Sequence, residues 1–180
     1  MVLLDACSVL NLAASRRMEQ VIQCLDADIA IAEAVAKEAL FVRRGGSGED
    51  AHETDPVLLQ PLIEAGHIEV ISPETDAEFA SYVRFAAQLD DGEAMTCALA
   101  LERGYAVATD DRKALRVMRE HDPPIQSLTT SDLLRAWVAR MQPSEAELIR
   151  VLTDIRERAR FLPSRRDPHH GWWLGLLDAK

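Results

Sequence analysis

Apolar positions in this chain fall into short blocks whose internal period switches repeatedly between strand and helix. Val2-Leu3-Leu4 is a fully apolar run that stops at Asp5, which predicts a buried strand ending at a carboxylate. A helix is expected from residue 8 to about 15. A second covers 17–25, where Met18, Val21, Ile22 and Leu25 recur at helical spacing. Residues 28–31 read as a short strand, and 34 to about 43 as an alanine-rich helix containing Glu38. Gly45-Gly46-Ser47-Gly48 breaks the pattern, and the polar run to Pro56 extends the break as a mobile loop. Beyond it the spacing predicts a helix over 57–65 ended by Gly66, a strand over 67–71, and helices over 75–89 and 91–103, the latter terminated by Gly104. Residues 105–109 form another apolar strand that runs into Asp110 and Asp111. A helix over 112–120, a strand over 125–128 and a helix over 131–141 complete the alternation.

Strands alternating with helices predict an α/β fold with a parallel sheet. Ligands of such sheets sit beyond the carboxyl ends of the strands. Asp5 and Asp110/Asp111 fall at such ends. The last segment differs in character. Ser144 with Glu147 reads as a capping box, and Leu148, Val151, Leu152, Ile155, Ala159 and Leu162 then form one apolar stripe. Arg150, Arg156, Glu157 and Arg160 occupy the other face. The expected organisation is a domain over 1–142 and, over 143–180, an amphipathic helix with a tryptophan-containing tail that packs on the domain or on a partner. His169 and His170 read as part of a surface tail, and Trp172 and Trp173 as docked.

Composition narrows the class. At 180 residues the chain can bury roughly 70% of its unfolded surface and needs no disulfide or structural metal to hold a core. The formal net charge is -10, which argues against coating nucleic acid through bulk charge but leaves room for one local basic patch. Cys7, Cys24 and Cys97 form no CxxC pair, so a reducing, cytoplasmic setting is expected. Cys7 and Cys97 read as small core residues. The first residues have neither a basic start nor a long apolar run, so no signal peptide and no membrane span are expected.

The candidate chemistry is acidic. Asp5 follows a strand, Glu38 sits in a helix, Asp90, Asp91 and Glu93 open a helix, and Asp110 and Asp111 follow a strand. Each has an ordinary reading too. Asp5 can cap a helix, Glu38 can be a solvated helix residue, Asp90 with Glu93 makes a capping box, and Asp110 and Asp111 suit a turn and an N-cap. If the acids converge, they repel one another, and at least one carboxyl is held protonated unless a cation is present. Oxygen-only ligation selects Mg²⁺ or Mn²⁺ over zinc, and such ions support attack of water on a phosphodiester.

The ordered set resembles the PIN-domain family, in particular VapC-like toxins and related small prokaryotic PIN proteins. The matching stretches are 2–8 (VLLDACS), 35–40 (VAKEAL), 90–101 (DDGEAMTCALAL) and 109–114 (TDDRKA). The resemblance implies a three-layer αβα sandwich around a central parallel sheet and a Mg²⁺- or Mn²⁺-dependent endoribonuclease, the toxin of a toxin–antitoxin pair. It implies an RNA substrate, a small antitoxin that covers the acids, and a homodimer. Carried over by motif, Asp5, Glu38, Glu93 and Asp111 are the catalytic acids. Asp91 is the alternative in the third slot and Asp110 in the fourth. Ser8 and Thr109 correspond to hydroxyls that the family keeps near the metal, where they orient a water or a carboxylate.

Arg43, Arg44, Arg112, Lys113 and Arg116 flank the acidic motifs and are candidate phosphate contacts, although solvated helix charge explains each one singly. A haloacid-dehalogenase-type phosphatase needs an acid two residues after Asp5, where Cys7 stands. A receiver domain needs adjacent acids after the first strand. The rival that remains is a non-catalytic PIN-like binding or assembly module.

Overall fold

A computed structural model describes residues 1–38, 40–45 and 53–178. Apart from Gly45, the expected glycine loop lies outside the described residues. In chain order the elements are β1 (Val2–Leu4), α1 (Ala6–Ala14), α2 (Met18–Gln23), β2 (Ile29–Ala32), α3 (Glu33–Lys37), β3 (Phe41–Arg43), β4 (Thr54–Pro56), α4 (Gln60–Glu64) and β5 (Glu69–Ile71). They continue with α5 (Asp76–Ala86), α6 (Asp91–Arg103), β6 (Ala106–Ala108), α7 (Arg112–Glu120), β7 (Ser127–Leu128), α8 (Thr130–Met141), α9 (Glu145–Asp154), a π-helical turn (Ile155–Ala159) and α10 (His170–Leu177). None of the described helices is long and apolar enough to cross a membrane.

The chain divides into two compact units. The first comprises Met1–Ser8, Asp26–Glu38 and Leu58–Thr129. It holds a five-stranded parallel sheet in the order β5-β2-β1-β6-β7, an α/β arrangement flanked by helices. The chain fills one side of β1 first and then crosses to the other, so the order reverses between β1 and β6. That point is where open α/β sheets leave a crevice. Val2, Leu3 and Leu4 are all buried, as a strand covered on both faces requires. α6 packs against β1, β2 and β6 through Ala94, Cys97, Ala98 and Leu99, small enough for close approach to the sheet. Gly104, at φ 66, ends α6 in the left-handed region that glycine enters without steric cost.

The second unit comprises Val9–Leu25, Ala39–Val57 and Thr130–Lys180. Its core includes the fully buried Leu12, Trp137, Leu152, Ile155 and Trp173. Arg158, only 8% exposed, projects from the π turn and donates to the carbonyls of Ala14 (2.9 Å) and Arg43 (2.9 Å), with the Asp55 carboxylate 3.8 Å away. One guanidinium thereby joins the end of α1, the β3–β4 hairpin and the C-terminal helices. Asn11 donates to Thr130 (3.1 Å), and Arg17 pairs with Glu147 (3.0 Å).

Several expected elements are corrected. The helix expected to run to about 43 stops at Lys37. Glu38 is its extended C-cap, and Phe41–Arg43 form β3, whose antiparallel partner β4 lies within the stretch expected to be loop. The helix expected over 57–65 shortens to Gln60–Glu64, because the Val57 amide is committed to the Leu40 carbonyl. The C-terminal stripe breaks where Arg160 turns to φ 55, leaving Leu162 43% exposed. Ser144 caps α9 as expected, but the Glu147 carboxylate is taken by Arg17 instead of returning to the cap. The histidine pair, expected in a surface tail, is tied to its surroundings by hydrogen bonds. His169 Nε2 lies 3.0 Å from Asp132 Oδ1, and His170 Nδ1 lies 2.9 Å from the Pro163 carbonyl. Trp173 is buried against Phe161, and Trp172 lies under the Arg135 guanidinium at 5.1 Å.

Within the first unit, α5 and α6 pack closely, and an ion pair locks them. Thr75 and Glu78 form a complete capping box at the start of α5, and the almost fully buried Glu78 carboxylate also receives Arg103 from the end of α6. Arg103 additionally donates to the Ser72 carbonyl (2.9 Å). The Arg103 hydrogen bond, above all, holds the Glu78 carboxyl down at about 2. A depressed carboxyl stabilises the fold above the ordinary value of 4.5, and that contribution is lost as pH falls through about 2. Glu78→Gln keeps the capping acceptor but removes the charge. It is expected to cost about 3 kcal/mol at pH 7, measured by urea unfolding, with the difference from the native chain vanishing near pH 2.

Candidate active site

Sheet register builds the centre of the site. β1 and β6 run parallel with Leu4 opposite Ala108, and the Asp5 amide donates to the Ala108 carbonyl at 3.0 Å. The residues that follow the two strands, Asp5 and Thr109, therefore emerge side by side. The Thr109 hydroxyl donates to Asp5 Oδ2 at 2.8 Å and accepts the Asp111 amide at 3.1 Å. Cys7, in the first turn of α1, donates its thiol to the same Oδ2 at 3.3 Å, and its sulfur receives the Asp110 amide at 3.2 Å. Asp5 is 3% exposed, and its other oxygen, Oδ1, is buried with no hydrogen-bond partner among the described residues. A buried ionised oxygen without a partner is costly and is normally relieved by protonation or by a cation.

The first turn of α6 adds the next acids. Asp90 is its N-cap: Oδ1 accepts the Glu93 amide at 2.9 Å, and Glu93 Oε2 accepts the Asp90 amide at 3.4 Å. The capping box read from the sequence is thus present, and it aims Glu93 by its backbone. Gly92 is buried because Glu38 lies over it; a Cβ there would collide with Glu38 Oε1. Asp91 turns the other way and accepts the Tyr82 hydroxyl from α5 at 3.1 Å. Asp111 is the N-cap of α7, with Oδ1 taking the amides of Lys113 (2.7 Å) and Ala114 (2.9 Å).

Proton affinities report which acids feel each other. Burial raises the Asp5 carboxyl, partly offset by Thr109, Cys7 and the Ala6 amide, and Asp90 raises it further. Loss of hydration raises Glu38, although the residue as a whole is exposed, and Asp90 and Asp5 add to the rise. Glu93 is pushed up to about 7, first by desolvation and then by Asp90, Asp111 and Asp5. Burial and the Asp5 charge push the Cys7 thiol to about 12, so it is a hydrogen-bond donor and not a thiolate nucleophile.

Asp5, Glu38, Glu93 and Asp111 therefore share one field. Asp90, one of the candidate acids and also a capping residue, acts on three of them, and Cys7, expected as a core residue, is a direct partner of Asp5. Cys7 stands just after the end of β1 and Asp90 at the start of α6, and what each acts on is set by the fold. Ser8 is fully buried, and its hydroxyl has no partner among the described residues. Arg112, Lys113 and Arg116 are exposed on α7. Arg43 and Arg44 belong to the second unit, where Arg44 pairs with Glu53 and with Asp55 (3.1 Å).

A divalent cation suits this donor set in charge and chemistry: the acids offer only oxygen, and Asp5 Oδ1 lacks a positive partner. Among the described residues, no group of three or more His, Cys, Asp or Glu side chains is arranged to hold a metal ion. The fit is therefore one of donor type and electrostatics.

Raised carboxyls have a consequence for stability without metal. The Glu93 contribution is fully present below 4.5 and is lost as pH rises through about 7. In EDTA the native chain is expected to melt lower at pH 8 than at pH 5. Glu93→Gln, which keeps the capping acceptor, should flatten that dependence and melt higher than the native chain at pH 8 by thermal circular dichroism. Equal melting of the two at pH 8 would show that the repulsion is absent.

Comparison with known proteins gives one match at family level. The DUF3368 family model, described as a PIN domain, covers residues 1–125. No curated protein and no solved structure matches the chain.

Proposed function

We propose that this chain, which belongs to the PIN-domain family, is a divalent-metal-dependent endoribonuclease acting through the acids around Asp5. PIN domains are typically nucleases and commonly use divalent metals. The observation that carries the reading is the buried, unpartnered Asp5 Oδ1 beside acids that raise one another's proton affinity.

Asp5, Glu38, Glu93 and Asp111 are the residues proposed to hold the cation, with Asp90 adding negative charge. When bound, Mg²⁺ or Mn²⁺ supplies activation of a water and neutralisation of the oxygen that leaves phosphorus. Thr109 and Cys7 fix the Asp5 carboxylate through Oδ2 and leave Oδ1 for the cation. The Asp90–Glu93 box sets the direction of Glu93, and Gly92 leaves the room that Glu38 fills. Protons and cation compete for the same carboxylates, so metal affinity rises with pH.

The reading extends to the toxin of a toxin–antitoxin pair, with a small antitoxin over the acids and a homodimeric assembly; that extension rests on family kinship. A second reading, a non-catalytic PIN-like module, is favoured by the absence of a metal-holding trio among the described residues.

The decisive test incubates the purified chain with structured RNA in Mn²⁺, in Mg²⁺ and in EDTA. Cleavage is expected in metal and none in EDTA. Asp5→Asn should lose at least about 100-fold, and Thr109→Val, which frees Oδ2, about 10- to 100-fold. Cleavage that survives both EDTA and Asp5→Asn overturns the mechanism; no cleavage in any metal favours the non-catalytic module. Gly92→Ala separates folding from function. Helix propensity gains about 0.5–1 kcal/mol, so the melting temperature should hold or rise, while the displaced Glu38 should shrink the melting shift produced by Mn²⁺.

A further inference from the structure

Residues 156–166 contain five arginines and a single acid, Glu157, in a chain whose formal net charge is -10. They lie beyond residues 1–125, the part that the PIN-domain model covers. Arg158 is consumed inside the second unit by the carbonyls of Ala14 and Arg43. Arg156, Arg160, Arg165 and Arg166 are all exposed. Among the described residues, none of these four guanidiniums has a carboxylate partner.

The backbone presenting them is pinned. The Asp167 amide donates to the Ser164 carbonyl (2.9 Å) and the Arg166 amide to the Ser164 hydroxyl (3.3 Å). His170 holds the Pro163 carbonyl, and Phe161 packs edge-on to Trp173 at 5.7 Å between centroids. Four exposed like charges within this short stretch of chain favour a polyanion as their partner. All four are arginine. Its planar fork matches phosphate oxygens two at a time and stacks on bases, which a lysine ammonium does not do. The half-exposed Leu162, between Arg160 and Arg165 in the sequence, offers apolar surface to a base.

We propose that Arg156, Arg160, Arg165 and Arg166 form an RNA-binding surface that grips the phosphate backbone. The choice of RNA over an acidic protein rests on the ribonuclease reading: a chain this acidic repels its own polyanionic substrate and needs a local basic surface to retain it.

The test is fluorescence anisotropy of the full chain with labelled single-stranded RNA in EDTA, between 50 and 200 mM KCl. The quadruple Arg→Gln variant at 156, 160, 165 and 166 is expected to bind at least tenfold more weakly at low salt. The slope of log affinity against log salt should fall by about 2 to 3, at about 0.7 per phosphate released on a single strand. The pairs R156Q/R160Q and R165Q/R166Q should each lose part of the affinity, and they carry the test if the quadruple variant fails to fold. Unchanged affinity and slope in the variants overturn the proposal. So does displacement of the RNA by polyglutamate at equal charge concentration, which marks a surface for acidic protein. EDTA keeps the two readings separable: arginine-dependent binding without cleavage in metal overturns the ribonuclease alone, whereas cleavage with arginine-independent binding overturns this surface alone.

Discussion

An aspartate carboxylate buried where two parallel strands end side by side is the constraint around which the first unit is arranged. Burial of Asp5 would be unfavourable if both oxygens were left dry. One is satisfied by the Cys7 thiol, two residues along the chain, and by the Thr109 hydroxyl, which the β1–β6 register brings within reach. A slip of one residue would send Thr109 to the opposite face of the sheet, so the same hydrogen bond that orients the acid also penalises mispairing. The second oxygen stays unsatisfied, and the mutual influence of Asp5 with Asp90, Glu38 and Glu93 makes its protonation state a property of the group.

That arrangement explains why glycine occupies position 92. The first turn of α6 must do two things at once: end its own free amides through Asp90, and let the Glu38 side chain cross it. Any side chain at 92 would contest the second task. Helix capping and assembly of the acids are thus performed by one short stretch, residues 90–93.

The parts of the fold legible in the sequence were those with local signals. α6 and α7 begin and end where Asp90, Gly104 and Asp111 say they should, because caps and a left-handed glycine act within one turn. The buried strands Val2–Leu4 and Ala106–Ala108 were legible as apolar runs that stop at acids. The stretch from 38 to 57 was not. β3 and β4 are three residues each, and each exists because of the other across the chain between them, so neither carries a period of its own. In the candidate site, Asp5, Glu93 and Asp111 could be picked out by their positions after strands or at helix starts. Cys7 could not, because nothing in the sequence says that its thiol meets the Asp5 carboxylate, and the reach of Asp90 over three other acids exists only in the folded field. The C-terminal stripe misled for a related reason: periodicity predicts which face is apolar, not where Arg160 will turn the chain.

The buried Arg158 guanidinium has a consequence for how this protein can be divided. The second unit is stitched from an N-terminal helix pair, a central hairpin and the last fifty residues, and its bonds run from Asn11, Ala14 and Arg17 to Thr130, Arg158 and Glu147. The first member of each pair falls inside the span recognised by kinship and the second outside it. A fragment trimmed to that span would lose the edge strand β7 (Ser127–Leu128) from the parallel sheet and strip Leu12, Val21 and Ile22 of the helices that shelter them. The boundary drawn by ancestry and the boundary drawn by cohesion do not coincide in this molecule.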